Sequence, residues 1–184
     1  MTAPDGAQID RAMSQLVDAT HFPLGAPELD YADAAHLAAL PELRARAEAH
    51  VMSWSSSQPI RAMVFAFGLA PIVAVFLVRF ERPIERGALA GETEMWALAG
   101  DLPEMCFETS DAPTPADALR LYCAIAEDWG QAALGRRDVS RCYPIPLEPT
   151  REHGKMLLGR VKLLRKSWVP IARRGLARAR KAAR

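Results

Sequence analysis

The feature that most constrains this chain is an uncharged apolar run of 17 residues, 62–78, which two arginines bracket. As a helix the run would be about 25 Å long, which is shorter than the roughly 30 Å hydrocarbon core of a bilayer. Gly68 and Pro71 interrupt it, and its C-terminal half is rich in β-branched residues, which favour strands. The pattern therefore argues against a membrane span. It predicts a buried strand over residues 72–80, preceded by an apolar approach segment.

Two more strands are predicted downstream, over residues 93–99 and 104–109. The segment Gly100-Asp101-Leu102-Pro103 between them has the composition of a turn. In the last strand Met105 and Phe107 point one way, and Cys106 points the other way, on a polar face between Glu104 and Glu108. This alternation is typical of a strand with one covered face. The sequence predicts an α+β fold, in which a three-stranded antiparallel meander packs on helices that cover one face.

The clearest helix start is Thr114-Pro115-Ala116-Asp117, with a threonine N-cap, a proline in the first turn and an acid three residues after the cap. We expect this helix to end at Gly135. A short helix is expected over residues 5–19, and a helical region from Asp30 to about Trp54, interrupted at Pro41.

After a proline-rich connector, a long helix is expected over residues 151–169, which Pro170 breaks or kinks. Its predicted apolar face consists of Leu157, Val161, Leu164 and Trp168. Within the connector, residues 143–147 are extended because of their prolines, and the pattern leaves open whether they form an edge strand. The sequence predicts one domain over residues 1–169 and a basic tail over residues 170–184.

Charge is distributed very unevenly along the chain. Residues 1–150 hold 11 Lys+Arg against 21 Asp+Glu, whereas residues 151–184 hold 12 Lys+Arg against one acid, so the net charges are −10 and +11. Such asymmetry is typical of a chain with a polyanion-binding or interaction tail, although a solvated tail would have the same composition. The candidate polyanion or partner-binding residues are Arg173, Arg174, Arg178, Arg180, Lys181 and Arg184. The candidate acidic docking patch is Asp101, Glu104, Glu108 and Asp111.

The segment from Trp96 to Pro103, followed by the capped helix from Thr114 and by Trp129, resembles small uncharacterised bacterial domains of unknown function. The resemblance covers residues 70–135. It implies an α+β fold in a bacterial cytosol, and it carries over no catalytic residue.

No motif in the sequence identifies a reaction. The three cysteines, Cys106, Cys123 and Cys142, are widely spaced and the histidines lack metal-ligand spacing, so we predict reduced thiols, no metal site and no cofactor. Residues 1–11 have no apolar segment of the kind that marks export, and together with the thiols this predicts a cytoplasmic protein.

Three functions remain open at this stage. The first is a non-enzymatic interaction module that binds a protein partner. The alternative is a nucleic-acid-associated protein that uses the basic tail, through attraction that fades with salt. The third is an enzyme with a pocket between the meander and the 115–134 helix, for which Asp101 and Glu108 are the candidates for acid–base work.

Overall fold

The computed structural model describes residues 34–54, 58–85 and 90–173. The helix predicted over residues 5–19 lies outside this part of the chain. So do five of the tail candidates, Arg174, Arg178, Arg180, Lys181 and Arg184.

The uncharged run folds as a β-hairpin. Strand β1 spans Ile60–Leu69 and strand β2 spans Val73–Phe80, and they pair antiparallel with Phe65 opposite Phe76. The turn between them contains a cis Ala70–Pro71 peptide bond. The prediction of a single strand was therefore wrong. Because β1 is buried on both faces over 63–67, it lacks the alternation that would have marked it as a strand.

The sheet is a four-stranded antiparallel meander in the order β1-β2-β3-β4, where three strands were predicted. Strand β3 spans Glu94–Gly100 and β4 spans Leu102–Glu108, so the predicted four-residue turn shrinks to Asp101. Gly100 has a φ of 158°, and a Cβ there would collide with the carbonyl oxygen of Ile72. Glycine allows this close approach of two backbone segments, so the end of β3 lies against the residue before β2, where the Asp101 N–H donates to the carbonyl oxygen of Ile72 at 3.1 Å.

Helices cover both faces of the sheet, which corrects the prediction that they cover one. Helix α1 (Ala34–Trp54) packs on one face, and helices α2 (Pro115–Leu134) and α3 (Arg151–Leu163) pack on the other. The reason is visible in β2, where Phe76 faces α1 while Val75 and Leu77 face α2 and α3. Because both faces of such a strand are apolar, each face requires a helical layer that shields it from water.

The two long predicted helices of the N-terminal and central regions are present. Helix α1 is continuous and contains Pro41, so the expected interruption does not occur. Helix α2 has the predicted limits, and Thr114 Oγ1 accepts a hydrogen bond from the backbone N–H of Asp117 at 3.2 Å. The N-cap therefore acts as its sequence indicates.

The connector does not form an edge strand over residues 143–147. Instead the Tyr143 hydroxyl donates a hydrogen bond to the carbonyl oxygen of Cys106 at 3.2 Å, and Ile145 is buried in the core. A side chain thus occupies a backbone acceptor on the outer edge of β4, which discourages pairing with another strand.

The C-terminal helix does not break before Pro170. Helix α3 continues through a π-helical segment, Leu164–Trp168, and the chain stays helical to Arg173. The wide turn lies directly before the proline, which has no N–H to donate. Ala172 is 2% exposed and belongs to the core, so the predicted boundary between domain and tail falls inside this helix.

Candidate interaction surface

Helix α3 is held unusually close to α2 by two glycines. A Cβ on Gly154 would lie 2.8 Å from the carbonyl oxygen of Gly130, and one on Gly130 would lie 3.0 Å from Leu158 Cγ. Leu157 and Val161 on the same side of α3 are buried in the core. The approach is possible because neither glycine has a side chain at the crossing, and it fixes which side of α3 faces outward.

Two ion pairs hold α3 and the π-helical segment in this orientation. The Arg160 guanidinium pairs with Asp101 in the β3–β4 turn. The Arg165 guanidinium pairs with Glu127 on α2, with 2.5 Å between Nη1 and Oε2. Two of the cations on this helix are therefore already compensated within the molecule.

The outward side of α3 carries two of the three large hydrophobic side chains that are exposed in the described chain. Met156 is 47% exposed and Leu163 is 41% exposed; the third, Met52, is on α1. Met156 and Leu163 are seven positions apart, which is two helical turns, so they lie on the same side. Between them is Gly159, where a Cβ would have no atom within 4 Å.

Three exposed lysines accompany this apolar pair: Lys155, Lys162 and Lys166. Lys155 and Lys162 each precede a member of the pair by one position, so they run as a parallel row along its flank. None of the three forms an ion pair with a described residue. We call Met156, Gly159, Leu163 and these three lysines the α3 outer face.

The acidic candidates do not lie together. Asp101 pairs with Arg160 on the α3 side of the sheet. Glu104 pairs with Arg46 of α1, 2.9 Å from its Nε, and Arg46 also donates to the carbonyl oxygen of Gly100 at 2.9 Å. These two carboxylates therefore join helices of opposite layers to the β3–β4 hairpin.

The other two acidic candidates are at the far end of β4. Glu108 accepts a hydrogen bond from Ser110 Oγ at 3.2 Å, and Asp111 is exposed in the following turn. The seven residue steps from Asp101 to Glu108 along β4 correspond to roughly 23 Å. Paired acid–base carboxylates in glycosidases are less than about 10 Å apart, so the structure does not bring these two together as such a pair.

Of the basic tail candidates, the described chain includes Arg173, which is exposed at the end of the helix that began at Arg151. Arg173 follows the lysines of the α3 outer face along the same helical segment. The positive charge of the C-terminal region therefore begins on the folded body and not only after it.

The thiols have the properties of core residues. Burial raises the pKa of Cys106 to about 12, and it raises the pKa of Cys123 to about 11 although Arg165 opposes the shift. Cys106 was expected on a polar face between two glutamates, but α1 covers that face and Cys106 is 5% exposed. Burial, and not the neighbouring carboxylates, keeps this thiol protonated.

Within residues 34–54, 58–85 and 90–173, no group of three or more His, Cys, Asp or Glu side chains could hold a metal ion. Over the same residues, no helix combines the length and the apolar character needed to cross a membrane.

Comparisons with protein families, characterised proteins and solved structures find no match to this chain. The resemblance to small bacterial domains over residues 70–135 therefore stays a prediction.

Sequence reasoning missed the α3 outer face. It predicted the apolar face of this helix as Leu157, Val161, Leu164 and Trp168, of which the first three are buried and Trp168 is partly buried. Met156 and Leu163 each lie one position before a member of that apolar face, so a helical wheel would place them outside the contact with α2. This spacing could be read from the sequence, but the sequence does not show that no other element packs over Met156 and Leu163.

Proposed function

We propose that this protein is a non-enzymatic interaction module that binds a protein partner through the α3 outer face. The observation that carries the proposal is the pairing of Met156 and Leu163, both more than 40% exposed, on one side of a helix whose other side is locked in the core. Exposed apolar residues rimmed by polar ones are typical of protein-binding surfaces.

The rigid mounting of α3 supports the same proposal. The Gly130–Gly154 crossing and the buried Leu157 and Val161 fix the helix against α2, and the exposed ion pairs of Arg160 and Arg165 connect it to two different elements. A partner that binds the outer face therefore meets side chains whose backbone is already ordered, which lowers the entropic cost of association.

Binding of nucleic acid through the C-terminal region is the second candidate function. Its support is the net charge of +11 over residues 151–184, which begins on the folded body with the exposed Arg151 and continues past Arg173. Phosphate attraction needs only the charges and gives no role to the exposed Met156 and Leu163. We therefore place the protein partner first.

The test is capture of partners from a nuclease-treated lysate of the source organism by the tagged full-length chain. The variant Leu163→Asp places a charge in the outer face, and Met52→Asp makes the same kind of change on α1, where Met52 is 38% exposed. Circular dichroism and melting temperature confirm that both variants fold. We expect a stoichiometric protein partner with the wild type and with Met52→Asp, and its loss with Leu163→Asp.

Two other outcomes would contradict the proposal. The first is retention of the partner by Leu163→Asp, or no protein partner with any chain. The second is salt-sensitive capture of nucleic acid from a lysate that has not been treated with nuclease. This capture would be lost in a full-length variant with glutamine at Arg174, Arg178, Arg180, Lys181 and Arg184. That second outcome assigns the function to the basic tail.

A further inference from the structure

We propose that the partner segment seated on the α3 outer face is an acidic amphipathic helix that inserts an apolar side chain at Gly159. This inference rests on the proposed function and names the chemistry of the partner. Three properties of the face lead to it: its shape, its uncompensated charge and its fit to a second copy of this chain.

The shape is that of a hole for one side chain. In helix–helix packing, a knob from one helix enters a hole formed by residues i, i+3, i+4 and i+7 of the other. Met156, Gly159, Arg160 and Leu163 have this spacing. Because Gly159 has open space within 4 Å of where a Cβ would lie, the floor of the hole is open, and its two ends are the exposed apolar side chains.

The charge around the hole requires acids on the partner. Arg160 is already paired with Asp101, whereas Lys155, Lys162 and Lys166 have no ion pair with described residues. The one acid among residues 151–173 is the exposed Glu152, four positions before Met156, so lysines outnumber acids on this side of the helix. A helix that lies along α3 brings its flanking positions next to the Lys155–Lys162 row. Glutamates or aspartates at those positions complement the row, and lysines there repel it.

A second copy of this chain fits the face poorly. When two copies pair symmetrically with their α3 helices antiparallel, the same flank of each helix meets, so the Lys155–Lys162 row of one copy lies next to that of the other. Like charges at a contact disfavour the pairing. The charge pattern therefore selects a different, acidic partner.

The test measures binding of defined probes to the full-length protein at low and high ionic strength. The first probe is a synthetic three-heptad helical peptide with leucine at its core positions and glutamate at the flanking positions. The matched probe has lysine in place of each glutamate. Vesicles containing phosphatidylglycerol and a short DNA duplex test the two other anionic partners.

The expected result is that the glutamate peptide binds, that added salt weakens its binding, and that the lysine peptide does not bind. Gly159→Leu fills the hole and should lower the affinity for the glutamate peptide at least about tenfold. The double variant Lys155→Glu, Lys162→Glu should abolish binding of this peptide. Met52→Asp should leave the affinity unchanged. Since Gly159 has open surroundings, Gly159→Leu should fold normally, and its melting temperature checks this.

Equal binding of the two peptides, or no effect of Gly159→Leu, would overturn the inference. So would tighter binding of the vesicles or the duplex than of the glutamate peptide. If lysate capture depends on Leu163 and the glutamate peptide does not bind, the interaction module stands and the acidic helix is wrong. If capture does not depend on Leu163, the proposed function itself fails.

Discussion

Gly154 of α3 lies so close to Gly130 of α2 that a Cβ on Gly154 would come within 2.8 Å of the Gly130 carbonyl oxygen. Such a distance leaves no room for a methyl group without moving one helix away from the other. The position of α3, and with it the orientation of its outer face, therefore depends on the absence of a side chain at Gly154, as it does at Gly130.

The first prediction is that Gly154→Ala destabilises the protein. The added methyl group meets backbone atoms, which cannot rotate aside, so the expected cost is about 1–3 kcal/mol of unfolding free energy. At this chain length the melting temperature falls by about 2–4 °C for each kcal/mol.

The control is Gly159→Ala on the same helix. A methyl group there meets nothing within 4 Å, and alanine is the better helix former, so stability should rise by up to about 1 kcal/mol. Urea denaturation measures the free energy of unfolding of both variants. A Gly154→Ala protein as stable as the wild type would contradict the close helix crossing.

The second prediction concerns the ion pairs of the β3–β4 hairpin. Asp101 and Arg160 have side chains that are 56% and 43% exposed, so a double-mutant cycle with alanine should give a coupling below about 1 kcal/mol. Arg46→Ala should cost more than Arg160→Ala, because Arg46 contacts both Glu104 and the carbonyl oxygen of Gly100. Equal losses for the two arginines would show that the backbone contact contributes nothing.

The third prediction concerns thiol reactivity. Cys106 and Cys123 are buried in the core, whereas Cys142 is partly exposed. In the native protein at mildly alkaline pH, a disulfide reagent should modify one thiol, and Cys142→Ser should remove that reaction. Burial and the neighbouring Asp128 raise the pKa of Cys142, so its reaction should be slower than that of a small free thiol. Rapid modification of two or more thiols without denaturant would contradict the packing.

The fourth prediction follows from the same burial. In the unfolded chain a thiol loses its proton near its ordinary pKa of 9.0, whereas burial in the folded state raises the pKa of Cys106 to about 12. The folded state therefore binds more protons between these values, and stability decreases as pH rises through that range. Cys106→Ala should reduce the slope of unfolding free energy against pH above pH 9. An unchanged slope would place Cys106 in a solvated site.

Local signals in the sequence predicted the elements they govern directly. The Thr114 cap, the proline after it and Gly135 define α2 with the observed limits, because these residues act on the helix ends themselves. The alternation of Met105 and Phe107 also placed these two residues on the side of the sheet that α2 and α3 cover.

What the sequence concealed depends on tertiary contacts. Strand β1 was missed because Met63 and Val64 are buried on opposite faces of the sheet, so apolar residues follow one another without alternation. Cys106 was placed on a polar face because the helix that covers it, α1, is distant in sequence. In both cases the burial of a strand residue is decided by helices that are distant in sequence, and the local pattern does not show it.

The candidate surface was predicted only in part. Charge counting identified the basic C-terminal region, and in the described helix Lys155 and Arg173 are exposed. It could not show that Arg160 and Arg165 form ion pairs within the molecule, with Asp101 and Glu127, or that Glu104 pairs with Arg46. Which charges stay available to a partner depends on the fold.

The most direct test of the interface on α3 is photo-crosslinking in cells of the source organism. A photo-crosslinking amino acid replaces Met156 in the full-length chain, and a second chain carries it in place of Met52 on α1. If a protein partner binds the α3 outer face, position 156 gives one discrete protein adduct and position 52 gives none. No adduct from position 156, or the same adducts from both positions, would contradict binding at this face.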